Sequence, residues 1–416
     1  MISPKETKET KTGTETGAPP AAGIFIETDF FQKKKKGESA AGDVFLAQKS
    51  PSGNRIIAAL SDGLGSGIKA NVLASLTATM ISKFVLMDIP AARAAEIITN
   101  SLPVCRERGL AYATFTLVDA CRDMTARIIE YDNPPLAVVR DNKTLRLEKT
   151  RILVERKNKK TGPQNESLFL SELRALPGDR IVFFSDGVTQ AGLGSPAFPA
   201  GWGAADAQSH ILKTVAADPL VSAGELARSL VLAAERADSA APKDDISCAV
   251  IYFRKPRDLL VVTGPPFRRE SDKVLARIFR EFSGRKIISG GTSAQIIARE
   301  LGVPITDDGP IRAGLPPSSK MEGADLVCEG IITLGAAAEE LARGVSEERD
   351  PGNPASRVIR LFLDSDRITF VVGTKINEAH QDPTMPVELE IRRNVVKRIA
   401  ALLEEKYLKA TRIQYL

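Results

Sequence analysis

Five aspartates stand where an apolar run meets a turn: Asp43 in GDVF, Asp62 in LSDG, Asp186 in FSDG, and Asp244 with Asp245 in KDDIS. Asp62 and Asp186 share one form, an apolar run closed by Ser-Asp-Gly. Glycine after the acid lets the backbone turn sharply and sets a carboxylate beside a bare peptide carbonyl, as at Gly63. Hard oxygen donors of that kind suit magnesium or manganese. Asp-Gly is also the commonest of turn dipeptides, so one such pair carries no chemistry by itself. Four strand ends of the same kind are a stronger signal. Carboxylates gathered at one sheet edge repel unless cations neutralise them, and a dinuclear site would do so. Spacing alone leaves open whether they gather.

A glycine loop is the competing reading of LSDGLGSGIKA. Its glycines run G-x-G-x-G after a hairpin, whereas a dinucleotide fingerprint needs G-x-G-x-x-G inside a parallel βαβ unit. A phosphate loop of the Walker kind needs Lys-Ser/Thr after the last glycine, where Ile68 stands. Lys69, in the first turn of the helix that follows, could reach a substrate phosphate or be solvated.

Composition narrows the classes. Histidine is limited to His210, at helical spacing in DAQSHILKTV, and His380, in the polar NEAHQDP, so histidine-centred acid–base chemistry has few places to sit. Cys105, Cys121, Cys248 and Cys328 lie far apart without a C-x-x-C pair, which fits reduced core residues in a cytoplasm better than zinc. A net charge of +5 over 416 residues is too slight for a nucleic-acid footprint, and 5% aromatic content offers few stacking platforms. The longest apolar run, NVLASLTATMISKFVLMDIPAA, is broken by Lys83 and Asp88 and predicts a buried amphipathic helix, not a membrane span. Residues 1–22 lack the apolar core of a secretory signal and read as a disordered leader. A cytoplasmic protein is expected.

The acids need elements to carry them. GDVFLAQK and NRIIAALSD flank the turn SPSGN and predict an antiparallel hairpin. A helix from Gly67 to Met87 and another from Pro90 follow, then strands at YATFTLVDA, TARIIEYD, LAVVR, TLRLEKTRILV, SLFLSEL and GDRIVFFSDG. Two helical patterns over about 203–237 and a last strand, DDISCAVIYF, complete residues 23–254 as an α+β sandwich of two sheets flanked by helices.

The ordered set GDVFLAQ, IIAALSDGLGSGIKANVLA, RIVFFSDGVTQA and KDDISCAVIYF, over roughly residues 24–253, resembles the phosphatase domain of stage II sporulation protein E (SpoIIE) and its relatives. These are bacterial members of the metal-dependent, type 2C-like (PPM) protein phosphatases. The resemblance implies an α-β-β-α sandwich with two Mn2+ or Mg2+ ions at one edge, hydrolysing phosphoserine or phosphothreonine on a regulatory protein with a metal-activated water. It implies that Asp62 bridges the metals and the Gly63 carbonyl binds one of them. Asp186 and Asp244 would hold the other, and Asp43 would complete the cluster directly or through water. In the family's acid pair the first is the ligand, which favours Asp244 over Asp245. An anti-sigma-factor antagonist is the kind of phosphoprotein implied as partner, and Gly65 and Gly67 become hinge positions of a regulatory switch. Two departures bear on substrate positioning: Val44 and Phe45 follow Asp43, and Gln190 stands where an acid is frequent. A non-catalytic, phosphatase-like scaffold is the alternative, though a scaffold has no need of the full acid set.

From about Arg257 strands and helices alternate strictly, which predicts a second α/β domain over 257–416 with a mostly parallel sheet. Its strand ends VVTGPP, ISGGTSA and VVGTK carry Gly264, Gly290, Gly291, Thr292, Gly373 and Thr374. In a parallel sheet such ends share an edge, and glycine at a helix N-terminus makes an anion site; ordinary βα turns are the alternative. Glu322, Asp325 and Glu329 could bind a cation or cap helices. A nucleotide site, a small-ligand sensor and a partner-docking module all stay open for this domain.

Overall fold

The computed structural model describes residues 23–90, 113–158, 162–307, 318–344, 352–375 and 386–416, together with the isolated positions 93, 94, 97, 98 and 350. The leader, most of the helix expected after Pro90, Cys105 and His380 lie outside the described residues.

Residues 25–254 build two antiparallel sheets. One contains β1 (Phe25–Lys33), β6 (Ala137–Arg140), β7 (Lys143–Leu145), β10 (Arg180–Phe184) and β11 (Ile246–Arg254) in the order β1-β11-β10-β6-β7. The other contains β2 (Val44–Lys49), β3 (Arg55–Gly63), β4 (Ala113–Cys121), β5 (Thr125–Tyr131), β8 (Thr150–Asn158) and β9 (Gly162–Arg174) in the order β2-β3-β4-β5-β9-β8. The turn between β2 and β3 closes as a hairpin, with Gly53 at φ +68°.

The unbroken apolar runs of β3 and β11 follow from burial on both faces. Ile56, Ala58 and Leu60 of β3 meet Ala249, Ile251 and Phe253 of β11 between the sheets. The alternate residues Ile57 and Ala59 pack beneath the helix Gly67–Leu86. On the far side Ile246, Cys248 and Val250 pack against the helices Ala204–Ala217 and Ala223–Ala237. The layers are therefore helix, sheet, sheet, helices. Ser222 and Glu225 start the second outer helix with a reciprocal capping box. His210 joins the two outer helices through Ser229 Oγ at 2.9 Å, and burial lowers its pKa below the ordinary imidazole value.

Residues 258–415 form a separate seven-stranded sheet: β12 (Asp258–Thr263), β13 (Arg285–Ser289), β14 (Ile305–Asp307), β15 (Ser319–Met321), β16 (Leu326–Cys328), β17 (Arg367–Val372) and β18 (Ala410–Tyr415). Their order is β14-β15-β16-β13-β12-β17-β18, parallel from β16 through β18 and antiparallel at the β14–β15 edge. Helices cover both faces. Sequence patterning passed over β14, β15, β18 and the helix Pro354–Leu363. The three strands are short or half-exposed, but the helix carried a signal, Asn353 as N-cap followed by Pro354.

Only Lys255, Pro256 and Arg257 separate β11 from β12, and a buried ion pair fixes the joint. Arg254 grips the fully buried Asp366, with Nη2 to Oδ1 at 2.8 Å, and reaches Glu27 Oε2 at 2.5 Å. The Arg257 backbone N–H also donates to Asp366, at 2.6 Å. A buried bidentate pair with its remaining lone pairs satisfied is rigid, and removing one partner would strand the other charge.

Lys49 adds a second contact across the joint, donating from Nζ to the Lys409 carbonyl at 2.7 Å. Burial lowers the Lys49 ammonium to about 8. A base with a folded pKa below its unfolded one contributes its full stability above the unfolded value, about 10.4, and loses it as pH falls through the folded value. Lys49→Met is therefore expected to melt above the parent at pH 7, with the gap closing as the pH is raised past 10. Thermal unfolding at both pH values checks this. A variant that melts below the parent at pH 7 would mean that the bond to Lys409 outweighs the buried charge.

Candidate functional site

Strand register brings the acids to one edge. Val44 pairs with Ser61, so Asp43, one residue before β2, comes opposite Asp62 near the end of β3. In the other sheet Phe184 pairs with Cys248, so Asp186 lies level with the start of β11 and the Asp244–Asp245 pair just before it. Hydrogen bonds tie the two sheets together here. Ser247 Oγ donates to Asp43 Oδ2 at 2.6 Å, and the Gly42 N–H donates to Asp245 Oδ2 at 2.5 Å. Gln32 of β1 bridges the same seam, donating to the Asp43 carbonyl at 3.1 Å and to Ser247 Oγ at 2.9 Å.

The two Ser-Asp-Gly glycines serve close packing, not a turn of positive φ. A Cβ on Gly63 would lie 2.2 Å from the Ala70 carbonyl oxygen, and one on Gly187 2.1 Å from that of Asp245. Asp62 lies inside β3, while Asp186 opens the short helix Asp186–Thr189. Positive φ comes just after, at Gly65 (+107°) and Gly67 (+70°), where the long helix begins. That helix start is tied down: Ser66 Oγ donates to Glu38 Oε1 at 2.7 Å, and Asn71 Nδ2 to the Ala41 carbonyl at 2.8 Å. Lys69 is exposed on its first turn.

Four of the carboxylates share one field. Burial, then the charges of Asp43, Asp186 and Asp244, push the Asp62 carboxyl up to about 10. Burial also raises Asp43 to about 7, against the opposing pull of the Ser247 and Ser185 hydroxyls. Asp244 is raised by its burial, with Asp186 adding to it. Asp245 is turned to another task. It is 3% exposed, and its two oxygens accept the N–H groups of Lys35 at 2.8 Å and Gly42 at 2.5 Å. Gln190 donates to Asp186 Oδ2 at 2.7 Å, so the amide at this position covers one carboxylate oxygen where an acid would repel it. Val44 and Phe45 are packing residues; Phe45 stacks on Phe30 at 4.7 Å.

Among the described residues no three His, Cys, Asp or Glu side chains already converge on one point as a finished metal centre. The donors nevertheless fit a hard divalent cation, being carboxylates and a peptide carbonyl, with the acid charges raising one another's pKa. Sequence reasoning missed Gln32, Ser185 and Ser247. The two serines had a signal, each standing next to an acid motif; Gln32 had none.

In the C-terminal sheet Gly290 caps the helix Gly291–Leu301, and Thr292 is exposed in its first turn. Gly373 and Thr374 do not join an open site. Gly373 is pressed against the Gly264 and Pro265 carbonyls, and Thr374 Oγ1 donates to the Leu416 carbonyl at 2.9 Å. Asp325 accepts the Lys286 N–H at 2.7 Å, and no side chain caps the helix Ile331–Arg343 that follows Glu329.

A family model, Stage II sporulation protein E (SpoIIE), matches residues 52–254. Those residues are a SpoIIE-family domain. Solved structures similar to the chain include the PP2C phosphatase domain, with a fragment of the regulatory domain, of SpoIIE from Bacillus subtilis, at 17% identity and a TM-score of 0.44. That match covers 56% of this chain and 63% of the other, so the chain spans less than two thirds of that relative. The RsbU and RsbW domains of a Mycobacterium tuberculosis protein match at 18% identity and a TM-score of 0.41, over 62% of this chain and 67% of that one. The serine/threonine phosphatase of S. agalactiae matches at 13% identity and 0.39, over 55% and 99%. No curated protein matches the chain significantly. Among the described residues no helix is long and apolar enough to cross a membrane.

The strained charge of the SpoIIE-family domain has a measurable consequence. An acid whose folded pKa is raised contributes its full stability below the unfolded value, about 3.9, and loses it as pH rises toward the folded one. For Asp62 that window runs up to about 10. In chelator, Asp62→Asn should melt above the parent at pH 8, with the gain shrinking toward pH 5. An unchanged or lower melting temperature at pH 8 would show that the acids do not repel there.

Proposed function

We propose that residues 23–254 are a metal-dependent protein serine/threonine phosphatase domain, and that residues 257–416 are an α/β domain that regulates it or binds a ligand or partner. The observation that carries the proposal is the shared field of Asp43, Asp62, Asp186 and Asp244 at one edge of a SpoIIE-family domain. Buried acids that repel one another are costly, and a cation site is the use that offsets the cost.

In this proposal Asp62 and the Gly63 carbonyl, Asp186, Asp244 and Asp43 hold two Mn2+ or Mg2+ ions. Such a pair, when bound, acidifies a water and neutralises phosphoryl oxygens. The chain's own groups prepare the place. Asp245 pins the Lys35–Gly42 loop over the strand ends, and Ser247 orients the Asp43 carboxylate. Asp62, Asp186 and Asp244 remain half-buried, so the edge opens toward solvent, where a phosphorylated side chain of another protein can approach. In this reading Lys69, exposed on the adjoining helix turn, would meet that phosphate, and Gly65 and Gly67 would be the positions about which the helix moves. The substrate in this proposal is a phosphorylated regulatory protein of the anti-sigma-factor-antagonist kind, in the cytoplasm.

A non-catalytic scaffold is the second reading, and one observation favours it: no three acids already form a metal centre among the described residues. Activity separates the two. With manganese the full chain should hydrolyse an aryl phosphate and a phosphoserine protein, and Asp62→Asn or Asp244→Asn should each lower the rate by at least about 100-fold, the upper range for loss of an outer-shell partner alone. Asp245→Asn should act differently, lowering the melting temperature because its amide accepts only one of the Lys35 and Gly42 N–H groups and sets an NH2 against the other. No manganese-dependent hydrolysis, or hydrolysis indifferent to Asp62→Asn, would leave the scaffold.

A further inference from the structure

The C-terminal sheet has a second place where charge is unbalanced, of the opposite sign. At the ends of β13 and β16 the chain turns directly into the helices Gly291–Leu301 and Ile331–Arg343, with Gly290 and Gly330 as their N-caps. Neither helix has a side-chain cap or an acid in its first turn. The first helical bonds run from Ala294 N–H to the Gly290 carbonyl and from Leu334 N–H to that of Gly330. The N–H groups of residues 291–293 and 331–333 therefore have no acceptor within their helices, and each N-terminus carries a partial positive charge.

The two starts are neighbours. A Cβ on Gly330 would lie 3.6 Å from the Gly290 Cα, and one on Gly290 would lie 4.0 Å from the Gly264 backbone nitrogen at the end of β12. Ser289 Oγ holds them together, within 3.1 Å of both the Glu329 and Gly330 carbonyls. Three neighbouring parallel strands thus run out at Gly264, Gly290 and Gly330, with the Arg392 guanidinium packed against the first, its Nη1 2.7 Å from where a Gly264 Cβ would lie.

Buried hydroxyls on the elements that end here have no partner: Thr263 Oγ1 at the end of β12, and Ser293 Oγ and Thr333 Oγ1 at the third positions of the two helices. Ser293 is 0% exposed, and its unbonded Oγ lies 3.7 Å from the position a Gly290 Cβ would take, in the gap that the missing side chain leaves. Thr333 is also 0% exposed, its Oγ1 is unbonded, and it occupies the same third position of its own helix. A buried hydroxyl without a partner is costly, and two at equivalent positions beside paired helix starts lack what an oxyanion would supply.

We propose that this corner binds a phosphate group, free or at the end of a small phosphorylated molecule, between the two helix N-termini. Ser293 Oγ and Thr333 Oγ1 donate to its oxygens alongside the first-turn N–H groups. Glu329, beside Gly330, is exposed, and neither helix carries an acid in its first turn.

The test uses the full chain in chelator, which silences any divalent-metal site, with inorganic phosphate or adenosine monophosphate set against chloride at matched ionic strength. A shift in melting temperature of about 3 °C is expected at tenfold excess over Kd. A shift with inorganic phosphate assigns the site to the group itself, and a shift with the nucleotide alone assigns it to a group presented on an organic molecule; both support the proposal. The double variant Ser293→Ala, Thr333→Val should melt no lower than the parent without ligand, because only unpartnered hydroxyls are lost, yet bind at least tenfold more weakly by calorimetry. No shift with either ligand, or a shift kept in the double variant and lost in Asp62→Asn, would overturn it. Phosphatase activity is not part of the readout, so the two proposals fail separately.

Discussion

Like charges do not assemble unaided, and the N-terminal sandwich is organised around forcing them together. Asp43 and Asp62 come from one sheet and Asp186 and Asp244 from the other, so their distance depends on how tightly the sheets close at a single edge. What closes it is a set of neutral contacts: Ser247 to Asp43, Gln32 across the seam, and backbone packed against backbone at Gly63 and Gly187. Asp245 is the exception, an acid spent on closure. With its charge satisfied by two N–H groups it holds the loop that carries Asp43, so one of the five acids lowers the cost of gathering the other four.

The sandwich was legible in the sequence where burial was two-sided or a turn was explicit. IIAALSD and ISCAVIYF read as strands because both faces are covered, and SPSGN closes the hairpin between β2 and β3. The site was legible as a list of acids but not as an arrangement. Asp244 and Asp245 are identical in type and adjacent; the resemblance favoured the first as a ligand, but the bonds of the second to the Lys35 and Gly42 N–H groups had no sequence signal. The glycine after each acid was expected for a turn; its use in close packing depends on the Ala70 carbonyl in the helix that follows and on the Asp245 carbonyl, which is remote in sequence from Gly187. In the C-terminal sheet β14 and β15 span three residues each, too few for any period to show.

The joint between the two sheet systems has a direction. β11 begins beside Asp244 and ends at Arg254, eight residue steps or about 26 Å farther on by strand rise. The buried Arg254–Asp366 pair therefore fastens the C-terminal sheet at the opposite end of the strand from the acids. β12 starts at this joint and ends at Thr263, just before Gly264, five steps or roughly 17 Å along. Two central strands and the pair between them join the glycine corner to the acid edge, and the Lys49–Lys409 bond crosses the joint beside them. Both strands are buried along nearly their whole length, so neither bends independently of its neighbours. Close packing along both strands favours a shift of the sheets as bodies over a continuous deformation. The partners around the Arg254–Asp366 pair are charged, namely Glu27, Arg257 and Lys409, and β1, which carries Glu27, also carries Gln32 into the acid seam. One strand thus touches both that pair and the closure of the site, which makes β1 the shortest physical route between them.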